Sequence, residues 1–255
     1  MNVLVLLAII LCLLMVLIGG KKGAKSFISL FLNFGVLWVI ILEMTLPQAN
    51  PNLLAIVAGV AISCINLFFI NEVNSKTIAA FIATVITITI LLFIIYTLTE
   101  KAMIQGFGGE EIDELIDVYS LHLGVDFIKI ATAVIILSTI GAIIDVAISI
   151  TSPMQEIFQR HPSINRKELF ISGLTIGKDI LGSNTNTLFF AFIGGYLALF
   201  LWFKDLSYSF SQIINSKIFS AEMITIFCAG IGIALVIPIT SWISALYLVR
   251  GRDKI

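Results

Sequence analysis

A chain of 255 residues that is 59% apolar and 12% charged, with a mean hydropathy of +1.08, cannot clothe a soluble core in charge. The formal net charge of −1 says little by itself, because the placement of the charges carries the information, but the lack of arginine-rich runs speaks against a nucleic-acid surface. Lipid must cover much of the chain. The expected fold is all-α: one integral membrane domain over residues 1–255, a polytopic transmembrane helix bundle of about seven spans with short interfacial amphipathic helices.

The first apolar run, 3–20, is followed by Lys21, Lys22 and Lys25. A cleavable signal carries its positive charge before the run, so this one is expected to stay as a helix with its N-terminus outside. Runs at 26–46, 53–71, 77–98, 127–151, 185–203 and 222–249 each approach the roughly 20 residues that cross a bilayer, and the last is long enough to tilt. Glu43, ahead of Pro47, is expected at the interface.

The loops test this topology. With the N-terminus outside, segments 21–25, 72–76, 152–184 and 250–255 are cytoplasmic and hold eleven of the 15 Lys and Arg residues. That is a positive-inside bias, and the opposite orientation would invert it. The C-terminus is then cytoplasmic. In the outer segment 99–126, Ile112, Leu115, Ile116 and Tyr119 share a helical face, with Glu110, Glu111, Asp113, Glu114 and Asp117 on the other. A solvated interfacial helix explains this pattern better than a cation site does. Segment 207–220 shows a weaker version, with Phe210, Ile213, Ile214 and Ile218 on one side.

Cys12, Cys64 and Cys228 lie in apolar runs without CxxC or Cys/His spacing, and His122 and His161 fall on opposite sides of the membrane. No metal and no cofactor are expected. No hydrolase or phosphate-cradling motif occurs, so the chain is not expected to be an enzyme.

Two polar features remain. In the fifth run Asp145 is charged at membrane depth, a costly place unless the carboxylate is paired, protonated or hydrated. Ser138, Gly141, Ala142, Asp145, Ser149, Ser152 and Glu156 fall along one side, a small and polar stripe expected to face the bundle interior. The second feature is Ser172–Thr187, read as a polar approach to the sixth helix. There Lys178, Asp179, Asn184, Thr185 and Asn186 could line a polar site with Asp145 and Ser149, while Gly141 and Gly182 would let helices pack closely. The competing readings are a structural hydrogen-bond acceptor for Asp145, helix capping for the Asn and Thr residues, and an interfacial pair for Lys178 and Asp179.

The run GAIIDVAISI at 141–150, with Ser152 and Glu156, and the run GKDILGSNTNT at 177–187, with its AFIG continuation, resemble the YibE/F family of membrane proteins. The family pattern looks like G-R-D-I-M-G-x-x-T-N-T, and Lys178 and Leu181 depart from it mildly. The length resembles the shorter, YibF-like member of a pair. The resemblance implies a multi-pass protein of the bacterial plasma membrane, with a YibE-like membrane partner or a homo-oligomer as its company. A weaker likeness runs to the membrane core of the RND, SecDF and MMPL transporters, whose matching acid serves in ion coupling. Asp145 takes that position, and Thr185 and Thr187 match the following Thr-bearing helix. The large outer domain of those transporters is lacking. The resemblance therefore implies a transporter or transporter subunit with proton or ion coupling through Asp145. The alternative is a non-transporting scaffold or accessory subunit.

Overall fold

The computed structural model describes residues 2–46, 48–102, 104 and 126–252. Every regular element among them is helical: α1 (Val3–Met44), α2 (Pro51–Cys64), α3 (Ser75–Ala102), α4 (Phe127–Arg160), α5 (Arg166–Gly195), α6 (Leu197–Asp205), α7 (Phe210–Asn215) and α8 (Lys217–Arg252). The acidic segment at 110–119, His122 and Pro47 lie outside the described residues.

Local chemistry sets the helix starts. Asn2, Asn50, Asp126 and Asn165 each accept a backbone N–H from the first turn that follows, and Pro51 sits where a missing N–H costs nothing. Ser209 and Gln212 close a reciprocal capping box on α7. α2 runs on through a single π turn, Ile65–Phe69. There Asn66 accepts a hydrogen bond from the Asn33 amide at 3.0 Å, tying α1 to the end of α2.

Five helical segments are long and apolar enough to cross a membrane: Val3–Met44, Pro51–Phe69, Ser75–Ala102, Phe127–Arg160 and Lys217–Arg250. A sixth arises if α5 and α6, bent by 54° at their junction, count as one span. The expected count of seven differs from this because residues 3–44 form one element. That element is broken at Gly20, whose φ of 55° and ψ of −134° are not helical. A straight helix would hold residues 15 and 23 about 12 Å apart. Instead a methyl group on Gly23 would overlap the carbonyl of Met15, so the chain bends back sharply at Gly20.

The second difference lies between α4 and α5. Residues 152–184, expected as a cytoplasmic connection, are mostly helix: α4 continues to Arg160, α5 begins at Arg166, and only 161–165 connect them. Side-chain contacts fix which ends lie together. Lys25 pairs with Glu72 at 3.1 Å at one end of the bundle. At the other end the Thr132 hydroxyl donates to Thr99 at 3.0 Å and the Tyr196 hydroxyl to Glu222 at 3.1 Å. The helices therefore alternate in direction.

α4 and α8 are the centre. α4 packs most extensively on α8 and also touches α2, α3 and α5, while α8 also packs on α5 and α3. Close approach is achieved by omitting side chains. Gly59 receives Ile140, Gly177 receives Ile237, and Gly232 lies against Leu91 and Ile143. The outward-facing residues of α1 and α3, such as Phe34, Trp38 and Phe93, are large and apolar, as a lipid-facing surface requires.

Candidate functional site

The inner face of α4 is closed by Ile136, Ile140, Ile143, Ala147, Ile150 and Met154, each at most 2% exposed. The opposite face is narrow and small. Ser138, Asp145, Ser149 and Glu156 are exposed, and none of the described residues comes within 4 Å of where a methyl group on Gly141 would sit. The stripe thus lies outside this chain's own bundle, contrary to the expectation that it faces inward. The isoleucines of α4 are needed against α8, α2 and α3, which leaves the polar side of the helix outermost.

Depth follows from register. Gly173 on α5 lies against both Met154 of α4 and Ser241 of α8, with their Sδ and Oγ atoms 2.6 and 2.7 Å from where its Cβ would be. Stepping away from this contact by equal numbers of residues along the antiparallel α4 and α5 brings Ser149 level with Lys178, Asp145 with Gly182, and Gly141 with Asn186. Asp145 is about 27 Å along the helix from Phe127 and about 22 Å from Arg160, near mid-helix.

α5 repeats the pattern of α4. Its inner side is anchored by Leu169, Gly173 and Gly177, while Thr175, Lys178, Asp179, Gly182, Ser183 and Asn186 are exposed. Asn184 and Thr185 are half-buried. Their side chains donate to the carbonyls of Ile180 and Leu181 at 2.9 Å each, and Thr185 turns its methyl towards Gly230 of α8. The structure therefore leaves Asp145 and Ser149 exposed on α4, and Lys178, Asp179 and Asn186 exposed on the neighbouring α5. It points Thr185 towards α8.

Charge on these exposed positions is only partly paired among the described residues. Glu156, towards the C-terminal end of α4, pairs with Arg160 at 2.6 Å. Among the described residues Asp145, Lys178 and Asp179 form no ion pair. Pro153 adds one polar group that sequence reasoning passed over: it has no N–H to give to the Ser149 carbonyl one turn back, so that acceptor is left for something else. No group of three or more His, Cys, Asp and Glu side chains suited to a metal occurs among the described residues.

A membrane-type helical bundle with an unpaired acid near mid-helix and a polar neighbour is the class of protein these features define. The chain belongs to the YibE/F-like protein family, whose model matches residues 7–250. No curated protein and no solved structure matches it.

Proposed function

We propose that this chain is a subunit of a proton- or ion-coupled transporter in the bacterial plasma membrane, with Asp145 as the coupling group and no enzymatic activity of its own. One observation carries the reading: Asp145 lies exposed near mid-helix, on a helix that touches the equally polar α5, without an ion partner among the described residues. Acyl chains cannot solvate such a face, so it is expected to line water or another protein surface. A YibE-like partner or another copy would complete it. Ser149, Lys178, Asp179 and Asn186 would carry polar contacts beside the acid, with Asn184 and Thr185 shaping the wall behind them. The likeness of the Asp145 motif to the RND, SecDF and MMPL core favours the same role.

Seven spans fit this arrangement when the bend at Gly20 separates residues 3–19 and 21–44 into two crossings. The N-terminus is then outside, and Lys21, Lys22 and Lys25 lie in the cytoplasm with Arg160, Arg166 and Lys167. A cysteine at position 2, in a chain whose native cysteines are replaced, is expected to react with an impermeant maleimide from outside intact cells. Protection there would overturn the topology.

The coupling role is tested in proteoliposomes holding the purified protein and a pH-sensitive dye. Asp145→Asn is expected to insert normally and to abolish proton flux driven by an imposed potential. Unchanged flux would remove the role, and loss of insertion would make Asp145 structural. The second reading, a non-transporting scaffold, is favoured by the open surface at Gly141 and Gly182. It expects Asp145→Asn to be tolerated while larger residues at these glycines break copurification with a partner.

A further inference from the structure

We propose that a second copy of this chain, related by a twofold axis along the membrane normal, covers the open face of α4 and α5. The inference rests on the reading above, that this face is a polar surface needing cover. Three observations support it.

Unpaired charge sits on this face within the span of the helices, where lipid is the worst available neighbour. Gly141 and Gly182 leave open space on each helix, so another backbone can approach closely. The charges are also arranged in a self-complementary way. The acid Asp145 is on one helix and the base Lys178 on the next, about 6 Å further inward.

A twofold along the membrane normal preserves depth and exchanges neighbours. It sets α4 of one protomer against α5 of the other, and the reverse on the far side of the axis. The flexible four-carbon stem of Lys178 covers the difference in height, so its ammonium meets the partner's Asp145. One contact is thereby made twice. Each chain carries both halves of it, and among the described residues neither half is used in an ion pair. The site around Asp145 is incomplete without the second copy.

The test is cross-linking in native membranes, with Cys12, Cys64 and Cys228 replaced by alanine. Gly141→Cys and Asn186→Cys, at one depth on the two helices, are placed in separately tagged copies and coexpressed. Oxidation is expected to give a product of twice the chain mass carrying both tags. Gly141→Cys coexpressed with Phe93→Cys, on the lipid-facing side of α3, is expected to give none. Lys178→Asp and Asp145→Lys should each reduce the doubly tagged product at least fivefold. Their combination in one chain should restore it, and Lys178→Arg should retain it. A chain that is monomeric by light scattering in mild detergent and yields no cross-link overturns the inference, as does a cross-link only to a protein of different mass. Asp145-dependent flux from such a chain would leave the functional reading standing. A dimer without Asp145-dependent flux would support the inference and overturn that reading.

Discussion

Two sets of glycines in this chain are alike in sequence and opposite in surroundings. At Gly59, Gly173, Gly177 and Gly232 the missing side chain is replaced by a neighbour: Ile140, Met154 with Ser241, Ile237, and Ile143 with Leu91. At Gly141 and Gly182 none of the described residues arrives. The first set marks where the bundle has closed on itself, along α4, α5 and α8. The second set marks where closure stops, and there the neighbouring side chains change from isoleucine to Asp, Ser, Lys and Asn. A bundle that used glycine only for internal packing would fill both sets. Gly35, Gly194 and Gly195 are equally unfilled, and what sets Gly141 and Gly182 apart is the exposed polar side chains beside them.

The sharpest way to break this comparison is to put the same side chain into each set. Gly177→Val drives a branched side chain into Ile237 and is expected to lower stability by about 3 kcal/mol, the upper part of the usual range for overpacking. Gly182→Val meets none of the described residues and is expected to leave the isolated protein's melting temperature within about 2 °C of the parent, because changes at open positions stay near 0.5 kcal/mol. Thermal unfolding in detergent reads both. Equal losses at the two positions would erase the distinction on which the open face rests.

The bend at Gly20 comes next. Its φ of 55° suits glycine and few other residues, so Gly20→Ala is expected to cost about 2 kcal/mol and to lower the melting temperature. Accessibility of a cysteine at position 2 would report whether the arm of residues 3–19 has moved. A melting curve identical to the parent's would mean that the bend is not held by this residue.

Much of the bundle was legible in the sequence, because hydropathy over about 20 residues measures the property that a bilayer selects. The spans containing α2, α3, α4 and α8 and the acid in α4 follow from it. The extent of α5 does not. Residues 172–187 are Gly, Ser, Thr, Asn, Lys and Asp in such density that a hydropathy window reads a loop, yet they are helix, held by Leu169, Gly173 and Gly177 against the rest of the bundle. Helix formation there is decided by packing on one side, which a windowed average cannot see. The direction of the α4 stripe was hidden for a related reason. Periodicity shows which residues share a face, but polar residues face inward only if the chain itself supplies something for them to meet. The loss of the usual helical donor to the Ser149 carbonyl, caused by Pro153, could have been found from the sequence once both residues were placed in one helix.

A smaller effect sharpens the same contrast from the closed side. Asn33 donates to Asn66 at 3.0 Å, joining α1 to the turn after α2. Asn33→Ala is expected to cost about 1 kcal/mol, the usual net worth of such a bond and near the upper end for helices in lipid. Its melting temperature should fall less than that of Gly177→Val, and Asn66→Ala should add little once Asn33 is gone. Full additivity in the double variant would mean that the two amides act independently.

The smallest expected effect lies at the exposed start of α4. Asp126 accepts the first N–H groups of the helix, from Ile128 and Lys129, and sits 3.1 Å from the Lys129 ammonium. The Lys129 ammonium and these amides hold its carboxyl below the usual carboxylate range. A depressed folded value means that the carboxylate stabilises the fold above its ordinary pKa, near about 3.9, and that this contribution is lost as pH falls through the lower folded value. Asp126→Asn keeps a capping oxygen and removes the charge, so its stability should match the parent's at acid pH and fall slightly below it near neutrality. Asp126→Ala removes both and should lose about 0.5 kcal/mol at every pH, with a further small loss above about pH 4. Melting temperatures of the three proteins between pH 3 and pH 7 separate cap from charge. If Asp126→Asn tracks the parent across the whole range, the cap alone matters and the charge at this helix end contributes nothing measurable. That would set it apart from Asp145, whose role is tested by flux and by cross-linking instead.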